Sequence, residues 1–301
     1  MKKLLITGGN GSLAAQIAQC FKKDYEIYCL AKNDLDITNL ASVQKKIRDI
    51  QPDILINCAA FLNADLCEEH PLQSYNINFQ GPLNLLKALE MEHIENNKNI
   101  FFVHFSTDFI FDGQKGNYTE EDIPIPLSIY GIHKWAADEC ILQANLKNFY
   151  VFRIASVLAP ESHRTDFTKA IISRYQKNGE IHVIQDLSIS LSSSLFIAEM
   201  LYKAFEKNIP SGLYHCVATG KTSWFEVASA LIKNLGLGDK VSPCVHTAFP
   251  SRAKRPINST LDNKKLSLAL NEPIISWQNL LSDVTDYYLA HSEIISRIGK
   301  T

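Results

Sequence analysis

Leu4-Leu5-Ile6-Thr7-Gly8-Gly9-Asn10-Gly11-Ser12-Leu13-Ala14 decides how this chain is to be read. Leu4 to Ile6 is an apolar run of strand length. The glycines behind it mark a tight turn, and Leu13, Ile17, Ala18 and Phe21 then recur at helical spacing. Strand, Gly-rich turn and helix in that order aim backbone N–H groups and a helix N-terminus at one point, a geometry suited to a pyrophosphate. The spacing Gly8-x-x-Gly11-x-x-Ala14 keeps a small residue where helix and strand must pack closely. The turn therefore predicts a dinucleotide site built on Gly8, Asn10, Gly11, Ser12 and Leu13.

The same alternation continues outward from this unit. Strands are predicted at 26–30, 54–56, 100–105 and 149–153, with helices at 39–50 and 72–95 and another opening near Tyr130. Alternation from residue 3 to 153 predicts an α/β fold, a Rossmann-like doubly wound parallel sheet. Just past the second strand stand Lys32, Asp34, Asp36 and Ile37. Lys32 could meet a 2′-phosphate, which favours NADPH over NADH. The third strand runs into Cys58-Ala59-Ala60, small enough for a cofactor to lie against the backbone. Asn78 lies in the long helix, where it could bridge to the catalytic helix through water or bond local backbone.

The fourth strand delivers Ser106-Thr107-Asp108 at its C-terminal end, where open parallel sheets place their sites. Phe111-Asp112-Gly113 and the Pro124/Pro126 segment are predicted to form a loop over the cleft. Ser128 is a candidate N-cap for the next helix. On that helix Tyr130 and Lys134, four residues apart, share a face. An ammonium one turn away favours phenolate, so the pair is a candidate acid/base, with Thr107 orienting a carbonyl oxygen against it. Beyond residue 155 the alternation loosens: helices at 166–177, 194–207 and 223–236, strands at 181–184 and 212–216. The basic run Arg252-Ala253-Lys254-Arg255-Pro256 reads as a solvated loop or as a grip for a phosphorylated substrate.

Composition limits the alternatives. The chain has 301 residues and a formal net charge of −2, which argues against a nucleic-acid partner. Its 7 cysteines form no CxxC pair and suggest buried thiols in a reducing compartment, with no metal site. The apolar start stops at Thr7, too short for a signal peptide, and no stretch reaches membrane-span length. The expected setting is cytoplasmic.

Taken together these residues resemble the extended short-chain dehydrogenase/reductases, and more narrowly the dTDP-4-dehydrorhamnose reductase family. The resemblance runs nearly the whole length. It includes Thr7-Gly8-x-x-Gly11, Leu35-Asp36-Ile37-Thr38 and Pro52-Asp53-Ile54-Leu55-Ile56-Asn57-Cys58-Ala59-Ala60. Ser106-Thr107-Asp108-Phe109-Ile110-Phe111-Asp112-Gly113, Tyr130-Gly131-x-x-Lys134, Gly212-Leu213-Tyr214-His215 and Arg255-Pro256-x-x-Ser259-x-Leu261-Asp262 follow. It implies a catalytic trio of Thr107, Tyr130 and Lys134. It implies cofactor contacts from the Gly-rich turn, Lys32, Asp36, Ile37, Cys58, Ala59, Ala60, Asn78, Ser106, Tyr130 and Lys134. Asp108, Phe109, Ser156 and Arg255 would meet the substrate. The implied reaction is NADPH- or NADH-dependent reduction of a nucleotide-linked 4-keto-6-deoxy sugar, in deoxysugar and lipopolysaccharide biosynthesis. A non-catalytic NAD(P)-binding subunit and a nucleotide-sugar epimerase or dehydratase are the other activities this scaffold carries.

The resemblance also implies a cofactor domain at 1–155 plus about 187–242, and a smaller discontinuous C-terminal substrate lobe at about 156–186 plus 243–301. Four departures cluster around the sugar. Phe109 replaces a tyrosine, Ser156 an aromatic and Leu62 a polar residue, and a DQxGxPT-like stretch has become Asp186-Leu187-Ser188-Ile189-Ser190-Leu191-Ser192. They imply an altered or enlarged sugar pocket. Gln16 aligns where some members carry a glutamate for a magnesium-bridged dimer, which puts that dimer in doubt here and leaves a homodimer as one alternative.

Overall fold

The computed structural model describes residues 1–298. Six strands make one parallel sheet in the order β2-β1-β3-β4-β5-β9: β1 Lys2–Thr7, β2 Tyr25–Cys29, β3 Ile54–Asn57, β4 Phe101–Thr107, β5 Phe149–Ile154 and β9 Gly212–His215. The strands are apolar because both faces are covered. Leu4 and Ile6 enter one core with α1 (Ser12–Phe21) and α8 (Ser194–Glu206). Leu5 points the other way, into a second core with α2 (Leu40–Ile50) and α5 (Gly81–Asn96). The winding reverses between β1 and β3, and a doubly wound sheet opens its crevice at such a switch point.

The long helix expected at 72–95 differs in detail. After α3 (Ala64–Glu69) the chain forms α4 (Pro71–Tyr75), a π-helical turn at Asn76–Gln80, and then α5. Pro82 has no N–H to give the carbonyl four residues earlier. The wider turn, in which the Gly81 N–H reaches the Asn76 carbonyl, absorbs that gap. Ser128 caps α6 (Ile129–Gln143) as expected, its hydroxyl accepting from the Gly131 N–H at 3.2 Å.

Past β5 the chain adds β6 (Val157–Leu158), α7 (Phe167–Asn178), β7 (Ile181–Ile184) and β8 (Ser192–Ser193), and after β9 come α9 (Trp224–Asn234) and β10 (Val241–Cys244). β10 pairs with β7 and β6 with β8, while α10 (Lys264–Leu270), α11 (Trp277–Ala290) and α12 (Ser292–Ile298) close the chain. A boundary at 242 therefore falls inside β10, and α9 packs on β7 and β10 rather than standing apart with the sheet. Residues 299–301 of the expected lobe lie outside the described residues. No helix among the described residues is long and apolar enough to cross a membrane.

The Phe111–Gly113 stretch does not roof the cleft. It receives the late Arg255–Asp262 segment: the Asn258 N–H donates to the Gly113 carbonyl at 3.2 Å, Tyr118 N–H to Thr260 at 2.8 Å and Asp262 N–H to Tyr118 at 2.7 Å. A side chain at Gly113 would meet Ile257 N at 2.6 Å, so this residue lets the two segments touch. The Ser106–Gly113 and Arg255–Asp262 motifs are thus one structural unit.

Candidate functional site

A cleft of about 390 Å³ opens at the C-terminal ends of β1, β3, β4 and β5. Gly11, Ser12, Leu13 and Ala14 form one end, and Cys58, Ala59 and Ala60 one wall. Gly8 makes this possible without lining it. Its φ is +68°, and a Cβ there would stand 2.7 Å from Ala59 N. The N-terminus of α1 has no side-chain cap, so the amides of its first turn are free to face an anion. An uncapped helix end beside a wall of small residues fits a dinucleotide pyrophosphate.

Ser106, Thr107 and Asp108 leave β4 at the middle of the cleft, opposite Phe109, Tyr130, Lys134 and Ser156. Gly131 lets α6 start against the preceding turn, since a Cβ there would meet the Phe109 carbonyl at 2.2 Å. Phe109 then packs edge-on to Tyr130 at 5.8 Å, and the Thr107 hydroxyl faces the phenol. Burial pushes the Tyr130 phenol well above its ordinary value; the Thr107 hydroxyl opposes that rise and the Asp108 carboxyl adds to it. Lys134 does not acidify the phenol as the i, i+4 spacing predicts. Its side chain turns inward, donating to the Phe105 carbonyl and lying 3.1 Å from His104 Nε2. Burial lowers the Lys134 amine to about 8.

Asp108 is 4% exposed, and desolvation raises it to about 6 against the hydroxyls of Ser259 and Thr107. Ser259 belongs to the late segment, which thus reaches the site through a hydroxyl while its cations stay outside. Arg255 pairs with Asp65 at 3.0 Å and Arg252 with Glu69 at 3.1 Å, both on α3. Asp65 also accepts from the Ala253 N–H at 2.9 Å and the Ser251 hydroxyl at 2.7 Å. The expected substrate contact from Arg255 is therefore corrected: its guanidinium is engaged by a carboxylate and does not line the cleft.

Several other expected contacts fall outside the lining. Asn10 and Lys32 are exposed at the tips of their turns. Asp36 is turned into its own loop, accepting from the Thr38 N–H and hydroxyl at 2.9 and 2.8 Å. Ile37 is buried, its carbonyl taking a bond from Asn84 at 2.9 Å. The Asn78 amide pairs with both backbone groups of Phe61, at 2.8 and 2.9 Å, and fixes the loop after β3, while its nitrogen also reaches the Ser74 hydroxyl that meets His133 of α6.

Beneath the cleft lies a polar floor that sequence reading missed. Asn57, His104, Asp138 and Arg153 are each 2% exposed or less. Asp138 accepts from the Ser106 hydroxyl at 2.6 Å and from Arg153 Nε at 3.3 Å. A histidine in mid-strand and an aspartate four residues after Lys134 were the available signals.

The model of the RmlD substrate binding domain matches residues 1–290. A dTDP-4-dehydrorhamnose reductase of Aggregatibacter actinomycetemcomitans is 31% identical, over 95% of this chain and 99% of its own. The crystal structure of a Clostridium acetobutylicum dTDP-4-dehydrorhamnose reductase superposes with a TM-score of 0.87 at 33% identity, covering 95% of this chain and 99% of that one. That of the Bacillus anthracis enzyme, in complex with NADP, gives 0.86 at 30% identity, over 94% and 99%. Fold, length and sequence agree, and the chain belongs to the RmlD substrate-binding-domain family, the family of the dTDP-4-dehydrorhamnose reductases.

Proposed function

We propose that this chain reduces a nucleotide-linked 4-keto-6-deoxy sugar with NAD(P)H, as a dTDP-4-dehydrorhamnose reductase. The observation that carries the reading is the meeting of Thr107, Tyr130 and Lys134 on the wall of a cleft whose far end is the uncapped start of α1. The amides of Ser12 and Leu13 would hold the pyrophosphate, and Cys58 to Ala60 would flank the adenosine side. Lys32, free at the end of β2, would favour a 2′-phosphate and hence NADPH. When bound, the dihydronicotinamide supplies the hydride.

The chain's own part is placement and a proton. A phenol pushed above its ordinary range stays protonated at neutral pH, so Tyr130 enters the reaction as an acid. It gives its proton to the oxygen of the carbonyl, and the Thr107 hydroxyl stabilises the phenolate left behind. Phe109, Ser156 and Asp108 form the sugar end. A cytoplasmic homodimer supplying deoxysugar for a surface polysaccharide such as lipopolysaccharide completes the reading.

The test is direct: purified protein, NADPH and dTDP-4-keto-6-deoxyglucose, the 3,5-epimerised form included, followed by loss of reduced-cofactor absorbance. Tyr130→Phe is expected to lower turnover by about 10²–10⁴-fold. Cofactor binding without reduction of any keto sugar would replace this reading with that of a regulatory subunit.

A further inference from the structure

His104 and Lys134 pose a question of proton bookkeeping that their hydrogen bonds answer. The chain of contacts starts at β1. Thr7 Oγ1 donates to Asn57 Oδ1 at 2.6 Å, and the Ala59 N–H donates to the same oxygen at 3.2 Å. These two fix which way the Asn57 amide faces, because an amide nitrogen in that place would oppose the Ala59 N–H, donor against donor. Asn57 Nδ2 therefore donates to His104 Nδ1, 3.2 Å away. His104 is fully buried, and burial, the largest influence on it, keeps its ring neutral. A neutral imidazole whose Nδ1 accepts must carry its single hydrogen on Nε2. Nε2 faces Lys134 Nζ at 3.1 Å. An ammonium has three donors and no lone pair, so it cannot accept that hydrogen; a neutral amine can.

The surroundings agree. Lys134 is 2% exposed, and among the described residues no carboxylate comes within the 4.0 Å of an ion pair with its Nζ. On its own helix Asp138 is occupied by Arg153 of β5, its Oδ1 standing 4.0 Å from His104 Nε2, and Tyr130 is held protonated by burial. After β3 the Cys58 thiol is likewise kept neutral by burial, and after β4 Asp108 is turned to Thr107 and Ser259. Asp138 favours the ammonium from beyond ion-pair distance, but it is spent on Arg153 and desolvation of Lys134 outweighs it.

We infer that His104 is a positioning residue that holds Lys134 as a neutral amine in the free protein at mildly alkaline pH, and that binding of the anionic dinucleotide recharges it with a proton from solvent. The second half rests on the NAD(P)H reading above. The balance is simple: –NH2 and one solvent proton give –NH3⁺, with no other bond made or broken. Once charged, the head group can no longer face the His104 N–H. It leaves that partner for the cleft it already lines. Cofactor binding and the placing of Lys134 then become one event, gated by the tautomer of a histidine beneath the site.

Two measurements on the full chain decide this. Nitrogen-15 NMR of the free protein reads both the His104 tautomer and the charge of Lys134 Nζ, with His104→Gln and Lys134→Met identifying the signals. A neutral His104 bearing its proton on Nε2, beside an amine-type Lys134 nitrogen at pH 9, above the Lys134 value of about 8 and below that of an ordinary lysine, is expected. A proton on Nδ1, or an ammonium signal, overturns the inference. Calorimetric titration of NADPH at pH 9 in buffers of different ionisation enthalpy reads proton uptake: about one proton per site in the native chain, near zero in Lys134→Met and sharply reduced in His104→Gln. Tight binding with no uptake in the native chain overturns the coupling while leaving the reductase reading intact. Absence of NADPH binding overturns that reading and the coupling together, and the NMR result still decides the resting state of Lys134.

Discussion

The floor and the mouth of the cleft are built on opposite plans. The floor is a closed set of polar groups: Thr7, Asn57, His104, Lys134, Ser106, Asp138 and Arg153, each buried. The mouth is formed by Leu62 at 69% exposure, Ser156, and Phe109 packed edge-on against Tyr130. In the floor every donor constrains its neighbour, so identity at one position dictates the next. At the mouth only shape and surface matter. Three of the four sequence departures around the sugar, Leu62, Phe109 and Ser156, line the cleft at its mouth, and the floor carries none of the four. The chemistry is therefore separable from the choice of sugar.

The sharpest way to break that contrast is to remove a floor charge. Asp138→Ala strands Arg153, 2% exposed and already short of a partner at Nη1. Leaving a buried cation unpaired is expected to cost about 3–5 kcal/mol in urea unfolding. A loss below about 1 kcal/mol would mean that the floor is wet and adaptable after all.

Acidity tests the same region without mutation. The folded-state amine of Lys134 sits near 8, below its ordinary 10.5. Between those values the unfolded chain binds the proton more fully than the folded one, so stability should rise as pH climbs from about 8 towards 10. Lys134→Met should flatten that rise. Asp108 works oppositely: raised to about 6 from 3.8, it makes stability fall as pH rises through that interval, and Asp108→Asn should remove the fall. Thermal unfolding across pH 4–10 checks both slopes.

How much of this could be read in advance depends on distance along the chain. The Gly-rich turn, the Ser128 cap and the Tyr130/Lys134 face are local patterns, and the structure forms them. Lys134 still went elsewhere than its spacing implied, because His104 lies 30 residues back on another strand. The Arg255–Asp65 pair spans 190 residues, and nothing near Arg255 marks it as taken. Asn78 reads equally as a bridge or as a bond to local backbone, because its partner loop is 17 residues away and carries no signal beyond backbone. Period and capping predict elements; they do not say which polar side chains will meet once the sheet is assembled.

Asp65 belongs to neither region and should give an intermediate effect. Asp65→Ala frees Ser251, Ala253 and Arg255 at once, of which Ser251 and Arg255 are exposed and Ala253 is buried. The expected cost is about 1–2 kcal/mol, most of it from the Ala253 N–H left unmet. Hydrogen exchange should quicken in 250–256, since Ala253 packs with Ala64, Cys67 and Tyr130.

The smallest effect on stability should come at the mouth, and it is the one that separates the two plans most cleanly. Leu62 lines the cleft yet keeps 69% of its surface in water. Leu62→Gln removes little buried apolar area and strands no polar group, so stability should stay within about 0.5 kcal/mol of the native chain. If the mouth selects by shape and surface, the change should appear in KM for the keto sugar, with kcat nearly unaltered, because a group that binds substrate and transition state alike alters only the former. A fall in kcat as large as that of a floor variant would show that the mouth also aligns the carbonyl. The two regions would then be one catalytic unit.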